Sequence, residues 1–215
     1  MTTQNLLVFG ASGPTGRQVV TQALTRGYRV TAFVRDPARF PVNDTALRVV
    51  RGDTVEDPQS VRSALQGQDA VISTLGVGKS FASRHLIEQS MASIVREMES
   101  AGVKRLVLTS AFGVGSSWAD TPLVPRLFIK TLLRDVYADK HAGEVLVHRS
   151  RLDWTVVYPT GLTDRPATGV YRAGEHLELR GFPTISRADV AHFLVAQVGD
   201  PTYLRKAVLV TSPSS

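Results

Sequence analysis

Apolar runs recur from residue 6 to residue 161, and most of them are followed by a stretch with helical character. The runs are continuous rather than alternating with polar residues, which predicts strands of a parallel sheet covered on both faces. The predicted strands have the sequences LLVFG, YRVTAFVR, ALRVVRGD, DAVISTLG, VKRLVLTSAF and LDWTVVYPTG. Because strands and helices alternate with this period, the pattern predicts an α/β fold with a doubly wound, Rossmann-type parallel sheet flanked by helices.

The segments between these strands carry helix start and stop signals. Asp57 followed by Pro58 is typical of a helix N-terminus, since Asp caps free amides and Pro tolerates the first turn. Gly27 and Gly102 stand where the first and third helices should end. The predicted helices cover about residues 15–26, 57–66, 84–101 and 125–150.

The regular alternation ends after Gly161. The sequence TGVYRAGEHLELRG, at residues 168–181, predicts a short hairpin, and KAVLVTS predicts a last strand. Between them, SRADVAHFLVAQVGD predicts a helix with Ser186 as its N-cap. This tail is too small for an independent domain, so we expect residues 1–215 to form one domain with an irregular substrate-side segment at about residues 161–185.

Composition excludes several classes of function. The chain has 215 residues and no cysteine, which rules out disulfides, thiol catalysis and thiolate metal sites. No histidine spacing indicates a metal, so none is expected. The start MTTQN lacks the pattern of a signal peptide, and no apolar run approaches the roughly 20 residues that span a bilayer. A cytoplasmic protein without a membrane partner is the simplest interpretation.

The net charge of +6 favours anionic partners such as nucleotides or acidic small molecules. The basic residues are scattered and lack interleaved aromatics, so nucleic acid is not the expected partner. No amphipathic helix stands out as a spare interface, which is compatible with a monomer.

Three glycines at intervals of three follow the first strand, in VFGASGPTGRQVV. Glycine permits a tight turn and lets backbone amides approach a pyrophosphate, and the helix that opens there adds its positive dipole end. Because the triplet follows a strand and opens a helix, it predicts a dinucleotide cradle. The predicted cradle residues are Gly10, Ser12, Gly13, Pro14, Thr15, Gly16 and Arg17.

The end of the second strand distinguishes the two nicotinamide dinucleotides. In dinucleotide folds an acid there binds the ribose 2′-hydroxyl, whereas an arginine accommodates a 2′-phosphate. The strand ends FVRD, so Arg35 precedes Asp36. The planar guanidinium of Arg35 fits a phosphate, and we therefore expect NADP(H) as the cofactor. In the alternative, Arg35 is a solvated charge and Asp36 binds a hydroxyl.

Two further strand ends complete the expected cofactor surface. Asp53, followed by Thr54, either accepts a hydrogen bond from the adenine amine or caps its own loop. Leu75 and Gly76 belong to TLGVG, whose small residues leave room for ribose and nicotinamide.

The motifs GASGPTG, FVRD, RGD, DAVISTLG, LTSAF and YPTGLTDRPATG together resemble the atypical short-chain dehydrogenase/reductase superfamily. Within it, the chain looks most like the biliverdin reductase B and flavin reductase group, and the likeness extends to VPRL and ISRADVAHFL. The resemblance implies a Rossmann-fold reductase that uses NADPH and acts on flavins or on linear tetrapyrroles such as biliverdin.

The resemblance places Ser110 at the serine of a proton-relay set, and we predict it as the catalytic residue. Typical members add Tyr-x-x-x-Lys on the next helix, where the lysine lowers the tyrosine pKa. Here Tyr137 and Lys140 are only three apart, and we interpret them as surface residues. In the alternative they act as a pair, since residues at this spacing still share a helix face. A flavin or bilin spreads the charge of an added hydride, so the protein mainly has to stack it against the nicotinamide, and water can supply the proton.

Thr160, after Pro159, stands where mammalian relatives carry an active-site histidine, a departure that puts histidine-mediated protonation in doubt. Both residues are expected at the cofactor. A loop rich in Gly, Ser and Pro follows the fifth strand, as substrate loops often do. The expected substrate-binding residues are Lys79, Ala111, Phe112, Trp118, Arg126 and Thr160. In the alternative, the aromatics pack the loop and the basic residues are solvated.

Other functions fit the same cofactor site. The protein could instead reduce quinones or other small molecules, act as an NmrA-like redox sensor that binds NADP(H) without turnover, or be an isomerase or epimerase.

Overall fold

The structure, a computed structural model, describes residues 4–76, 85–119, 121, 126, 131, 133–179 and 181–213. The strands are β1 (Asn5–Phe9), β2 (Arg29–Val34), β3 (Leu47–Arg51), β4 (Ala70–Ser73), β5 (Arg105–Thr109), β6 (Asp153–Pro159), β7 (Gly161–Thr163), β8 (Arg172–Gly174), β9 (Thr184–Ser186) and β10 (Lys206–Thr211). The α-helices are α1 (Pro14–Thr25), α2 (Pro58–Leu65), α3 (Leu86–Ala101), α4 (Arg134–Arg149) and α5 (Arg187–Ala196).

One sheet organises the fold, with the strand order β3-β2-β1-β4-β5-β6-β10-β8. Neighbouring strands are parallel from β3 to β10, and only β8 runs antiparallel to its neighbour. This confirms the predicted Rossmann-type α/β fold. The chain proceeds outward from β1 in one direction to β3 and then returns to the other side with β4, which makes the carboxyl end of β1 the switch point where ligands bind in such sheets.

The sheet is covered on both faces, which explains the continuous apolar runs. Along β1, Leu6 and Val8 pack on the face that carries α1 and α5, whereas Leu7 and Phe9 pack on the face with α2, α3 and α4. All four side chains are fully buried. Burial of such side chains stabilises the fold by about 1.5–3 kcal/mol each.

The helices begin and end close to the predicted positions. The side chain of Asp57 accepts a hydrogen bond from the Ser60 amide at the start of α2, and Gly102 adopts φ +73° at the end of α3. In the helix predicted at 125–150, α4 begins only at Arg134; residues 126 and 131 are also helical, and the positions between them lie outside the described residues. Among the described residues, no helix has the length and apolar character needed to cross a bilayer.

The predicted hairpin at residues 168–181 is wrong. The single strand described there, β8, pairs with β10 instead, with Val210 opposite Ala173. The outer edge of β10 would otherwise present unpaired amides and carbonyls, so pairing across the sheet prevails over a local turn. β7 pairs separately with β9.

A buried carboxylate helps to hold the segment between β7 and β8 against α5, together with the 2.8 Å ion pair between Asp164 and Arg187. Asp189 is 3% exposed and accepts hydrogen bonds from the amides of Thr168 at 2.9 Å and Gly169 at 2.8 Å. These bonds, with those from Ser186 and Thr168 hydroxyls, lower the pKa of Asp189 against the opposing effect of burial. The N-cap predicted at Ser186 is present, since its Oγ accepts from the Asp189 amide at 2.9 Å.

Candidate functional site

The glycine triplet forms a turn that only glycine fits at two of its positions. Gly10 adopts φ +75°, and a Cβ there would lie 2.8 Å from the backbone carbonyl of Thr74. A Cβ on Gly16 would overlap the carbonyl oxygen of Gly10. The amide of Gly13 closes the turn by donating to the same oxygen at 3.0 Å. The turn therefore brings backbone, rather than side chains, to the carboxyl end of β1.

The start of α1 leaves amides for an anion. Gly13 is the N-cap residue, and within the described part of the chain no side chain caps this helix end. Uncapped amides and the helix dipole favour a bound phosphate. The turn opens into a cleft of about 190 Å³, so the residues present fit the pyrophosphate of a dinucleotide. The cleft is lined by Gly10, Ser12, Gly13, Phe33, Val34, Arg35, Gly52, Asp53, Thr54, Thr74, Leu75, Gly76 and Leu86. Of the other predicted cradle residues, Pro14 begins the helix, and Thr15 and Arg17 lie in its first turn.

Two arginines face a second hollow that adjoins this cleft. The hollow, of about 510 Å³, is lined by Arg35, Arg51, Gly52, Asp53 and Asp57. Both arginines are exposed, and neither forms an ion pair with any residue that the structure describes. Sequence analysis missed Arg51. The signal was present, because Arg51 ends β3 in register beside Val34 of β2.

The carboxylates near the hollow are engaged locally. Asp36 accepts from the amide of Ala38 and pairs with Arg39 at 3.2 Å. Asp53 Oδ1 accepts from the amides of residues 55 and 56 at 2.8 and 3.0 Å, which is the loop-capping alternative. The Thr54 hydroxyl shares a 2.7 Å hydrogen bond with Ser90 of α3, so its side chain packs inward.

Parallel pairing continues beyond the strand ends and aligns the expected site residues at the carboxyl edge. The amide of Thr74 donates to Phe9, and that of Ser110 donates to Val157 at 2.8 Å. The amide of Phe112 donates to Pro159 at 3.2 Å. Gly10, Leu75, Ser110, Ala111 and Pro159 therefore lie at one edge of the sheet, as the sequence predicts. Ala111 and Phe112 are half-buried there.

Thr160 differs from the expected substrate contact. It is 3% exposed, and its hydroxyl donates to Thr211 of β10 at 3.1 Å. The side chain is thus held inside the fold, because two polar groups on neighbouring strands satisfy each other.

The loop after β5 uses two of the expected substrate residues for its own packing. The guanidinium of Arg126 lies 5.3 Å from the centre of the Trp118 ring and donates to the carbonyls of Trp118 and Ala119 at 2.9 Å. This cation–π pair corresponds to the packing alternative rather than to a contact with a ligand. Lys79, the remaining expected residue, lies outside the described residues.

The interpretation of Tyr137 and Lys140 as surface residues is wrong. Both are half-buried, because α4 packs along α3 and lies beneath the loop after β5. The Tyr137 hydroxyl donates to the carbonyl oxygen of Phe112 at 3.2 Å, and burial raises its pKa. Burial also lowers the pKa of Lys140, while the carboxyl groups of Glu144 and Asp139 act in the opposite direction.

A carboxyl group that sequence analysis missed lies between Ser110 and β6. Glu144 of α4 is 1% exposed, and its Oε2 accepts a 2.8 Å hydrogen bond from the hydroxyl of Tyr158. Burial raises the pKa of Glu144 to about 7, although the Ser110 and Tyr158 hydroxyls and the charge of Lys140 favour its ionised form. Burial and the nearby Glu144 carboxyl raise the pKa of Tyr158.

The turn over this carboxyl group requires glycine. Gly115 adopts φ +53°, and a Cβ there would overlap both Glu144 Oε2 and the Tyr158 hydroxyl. The sequence offered one signal: Glu144 lies four residues after Lys140, on the same face of α4.

One group of possible metal ligands is described, His85, Glu88 and Asp139, with ligand atoms within 4.8 Å of one another. Its central carboxylate already has a structural role, because Asp139 accepts from the amides of Ile87 and Glu88 at 3.0 and 2.9 Å and caps α3. His85 Nδ1 lies 2.8 Å from Glu88. These contacts account for the cluster without an ion.

Comparisons with known proteins agree with this geometry. The uncharacterized sugar epimerase YhfK of Bacillus subtilis is 26% identical over 96% of this chain and 93% of its own length. The fold is similar to that of ChuY, an anaerobillin reductase from Escherichia coli O157:H7, with a TM-score of 0.82 and 24% identity over 99% and 98% of the two chains. It is equally similar to a short-chain dehydrogenase/reductase from Veillonella parvula in complex with NADP, with a TM-score of 0.82 and 19% identity over 99% and 96% of the chains.

A family profile for NAD(P)H binding matches residues 10–201, which begin at the first glycine of the cradle and run into the connection before β10. The match and the cradle point to the same ligand: the uncapped amides of α1 suit its pyrophosphate. The protein belongs to the NAD(P)H-binding family, and its Rossmann-type fold is similar to that of the NADP-bound neighbour from Veillonella parvula.

Proposed function

We propose that the protein is an NADPH-dependent reductase that transfers a hydride to a planar conjugated acceptor, either a flavin or a linear tetrapyrrole. The observation that carries the proposal is the position of Tyr137, whose hydroxyl is bound to the Phe112 carbonyl and not to Ser110. A tyrosine placed to move a proton onto an alkoxide is needed for ketones and alcohols. A conjugated acceptor delocalises the added charge and can therefore be reduced without such a tyrosine.

The preference for NADPH is supported by charge. Arg35 and Arg51 face the hollow beside the cleft without a carboxylate partner among the described residues, whereas Asp36 is paired with Arg39. Two guanidinium groups next to an expected ribose favour a 2′-phosphate over a 2′-hydroxyl.

The residues of the chain have distinct tasks in this scheme. The glycine turn and the amides of α1 hold the pyrophosphate, and the arginines hold the phosphate on the adenosine. When bound, the cofactor supplies the hydride. Ser110, at the carboxyl edge, orients the acceptor or the nicotinamide by hydrogen bonding, and the half-buried Ala111 and Phe112 offer a surface for a planar ring. Catalysis then rests on proximity and orientation.

The tetrapyrrole class is further supported by the similarity to ChuY, which is an anaerobillin reductase. The partner of this site would be a small molecule rather than nucleic acid or a membrane.

Purified protein is mixed with NADPH and biliverdin, FMN or a quinone, and NADPH absorbance is followed. We expect oxidation with biliverdin or FMN. Oxidation of NADPH with quinones alone would show that the acceptor is a quinone and not a flavin or tetrapyrrole. Tight NADPH binding without oxidation by any acceptor would contradict the proposal and favour a redox sensor. Ser110→Ala should slow turnover far more than it weakens NADPH binding; equal losses would make Ser110 structural.

A further inference from the structure

The proposed reduction delivers a hydride, but the acceptor must also gain a proton. No residue in the scheme above supplies it. Ser110, Glu144 and Tyr158, here called the buried acid cluster, lie together beneath the turn at Gly115. They are 7%, 1% and 1% exposed, so bulk water does not reach them freely.

The polar atoms of the buried acid cluster are only partly hydrogen-bonded. Tyr158 donates to Glu144 Oε2, but Glu144 Oε1 and Ser110 Oγ have no hydrogen-bond partner of good geometry among the described residues. Buried polar atoms are normally paired, and the Ser110 hydroxyl lies close enough to Glu144 to favour its ionised form. The unused capacity of Glu144 Oε1 and Ser110 Oγ therefore leaves room for a proton to pass between the two side chains. Since Oε2 accepts from Tyr158, a neutral carboxylic acid at Glu144 would carry its proton on Oε1.

We propose that Glu144 is the internal proton store of the site and that it delivers its proton through the Ser110 hydroxyl to the reduced acceptor. The inference rests on the proposed function. Ser110 connects Glu144 with the carboxyl edge of the sheet. Its backbone amide pairs with Val157 at that edge, and its hydroxyl lies beside the Glu144 carboxyl group. Rotation about its χ1 exchanges the hydroxyl between them.

The hydride forms a new bond to the acceptor and brings two electrons, and the Ser110 hydroxyl proton moves to the basic nitrogen or oxygen of the acceptor. Ser110 Oγ takes the proton from Glu144, which becomes a carboxylate. Glu144 is reprotonated from solvent after product leaves. In sum, NADPH, the acceptor and one proton give NADP⁺ and the reduced acceptor.

The surroundings suit a carboxyl group that gains and loses a proton near neutral pH. Burial places its pKa at about 7, close to the value at which an acid is both protonated and able to donate. From β6, Tyr158 donates to the carboxylate; from α4 itself, Lys140 stabilises the negative charge. The hydroxyl of Ser116 in the overlying turn acts on Tyr158. The carboxylate of Asp139 accepts from two amides at the start of α3. The other side chains that α3 places against this part of α4 are the apolar Ile87 and Met91.

The kinetic test is Glu144→Gln, which keeps size and hydrogen bonding but cannot release a proton. We expect kcat to fall about 100-fold, within the range of general acid catalysis, with little change in NADPH Kd. In the wild type, kcat should fall as pH rises through about 7, because Glu144 then loses its proton. This fall should be absent from the pH profile of Glu144→Gln. Glu144→Asp, which restores an acid, should recover part of kcat and the pH dependence. Glu97→Gln is the matched control, since Glu97 is a glutamate of equal burial that pairs with Arg62 and Arg96 away from the site.

A second readout needs no turnover. In protein without cofactor, infrared difference spectra follow the carbonyl stretch of protonated carboxyl groups during a pH titration. We expect a band that titrates near pH 7, is absent in Glu144→Gln and shifts in Ser110→Ala.

The outcomes separate the two proposals. If the wild type reduces an acceptor but Glu144→Gln keeps its rate and pH profile, the relay is overturned and the reductase stands. If no carboxyl titrates near pH 7, the relay is overturned as well. If no acceptor is reduced, the proposed function fails and the relay falls with it, whatever the infrared spectra show.

Discussion

Glu144 should make the fold less stable as pH rises, the reverse of the usual effect of a carboxyl group. Its pKa is raised from 4.5 to about 7, so the folded state binds the proton more tightly than the unfolded chain does. This stabilisation is complete below pH 4.5 and is lost as pH rises through 7. The difference between the two pKa values, at roughly 1.4 kcal/mol per pH unit, corresponds to about 3 kcal/mol of unfolding free energy.

The perturbation is Glu144→Gln, whose amide mimics the protonated acid. Urea unfolding is measured from pH 5 to pH 8.5, and the free energy of the variant is compared with that of the wild type. Their difference should change by about 2.5 kcal/mol in favour of the variant across this range, because part of the effect lies below pH 5. The difference cancels the contributions of His148 and His192, whose pKa values are lowered by burial.

Glu97→Gln again serves as the control. Hydrogen bonds from Arg62 and Arg96 lower the pKa of Glu97, so its stabilisation is lost only on acidification below its ordinary value of 4.5. Between pH 5 and 8.5 that variant should show a nearly constant offset from the wild type. Parallel pH profiles for wild type and Glu144→Gln would refute the reasoning, because they would mean that Glu144 is ionised in the folded state throughout.

Three further substitutions test other parts of the molecule. Gly16→Ala places a methyl group against the carbonyl oxygen of Gly10 and should cost about 1–3 kcal/mol in urea unfolding, with strongly weakened NADPH binding in a fluorescence titration; unchanged binding would count against the cradle. Arg35→Ala should raise the NADPH Kd about 10-fold or more and leave the NADH Kd nearly unchanged, whereas Arg29→Ala, at the opposite end of β2, should alter neither; equal losses for both cofactors would contradict a 2′-phosphate contact. Asp189→Ala removes the acceptor of two backbone amides and should destabilise the fold by about 2–4 kcal/mol, with early proteolysis between β7 and β8; wild-type protection there would show that other contacts hold the segment.

The sequence predicts the strands and the glycine turn of the expected cofactor cleft, because their signals are local. The strand before Gly10 is apolar throughout since both faces are covered, and the glycines are required by contacts within a few residues or across one strand pair. Arg35 follows directly from its position at a strand end.

The surroundings of Ser110 depend on contacts between distant residues, which a linear pattern does not contain. In the sequence, Glu144 looks like an ordinary charged residue on a helix. Only the folded structure shows that Tyr158 of β6 donates to it and that the turn at Gly115 covers both side chains. Likewise Arg126 looks like a cation for an anionic ligand, but its Nη2 donates to two carbonyls of the loop and its guanidinium lies against the Trp118 ring. In both cases burial, not residue type, decides the role.

Because Asp189 receives the backbone amides of Thr168 and Gly169, part of the anchoring of the segment between β7 and β8 is independent of its side chains. Val170, one residue beyond the anchored pair, is 61% exposed, and Phe182, just before β9, is 82% exposed. Substitutions at such exposed positions should cost little free energy of folding, because neither side chain belongs to the core. Under the proposed function, a segment tethered by its backbone can therefore change its surface while the glycine turn of the cradle keeps its shape.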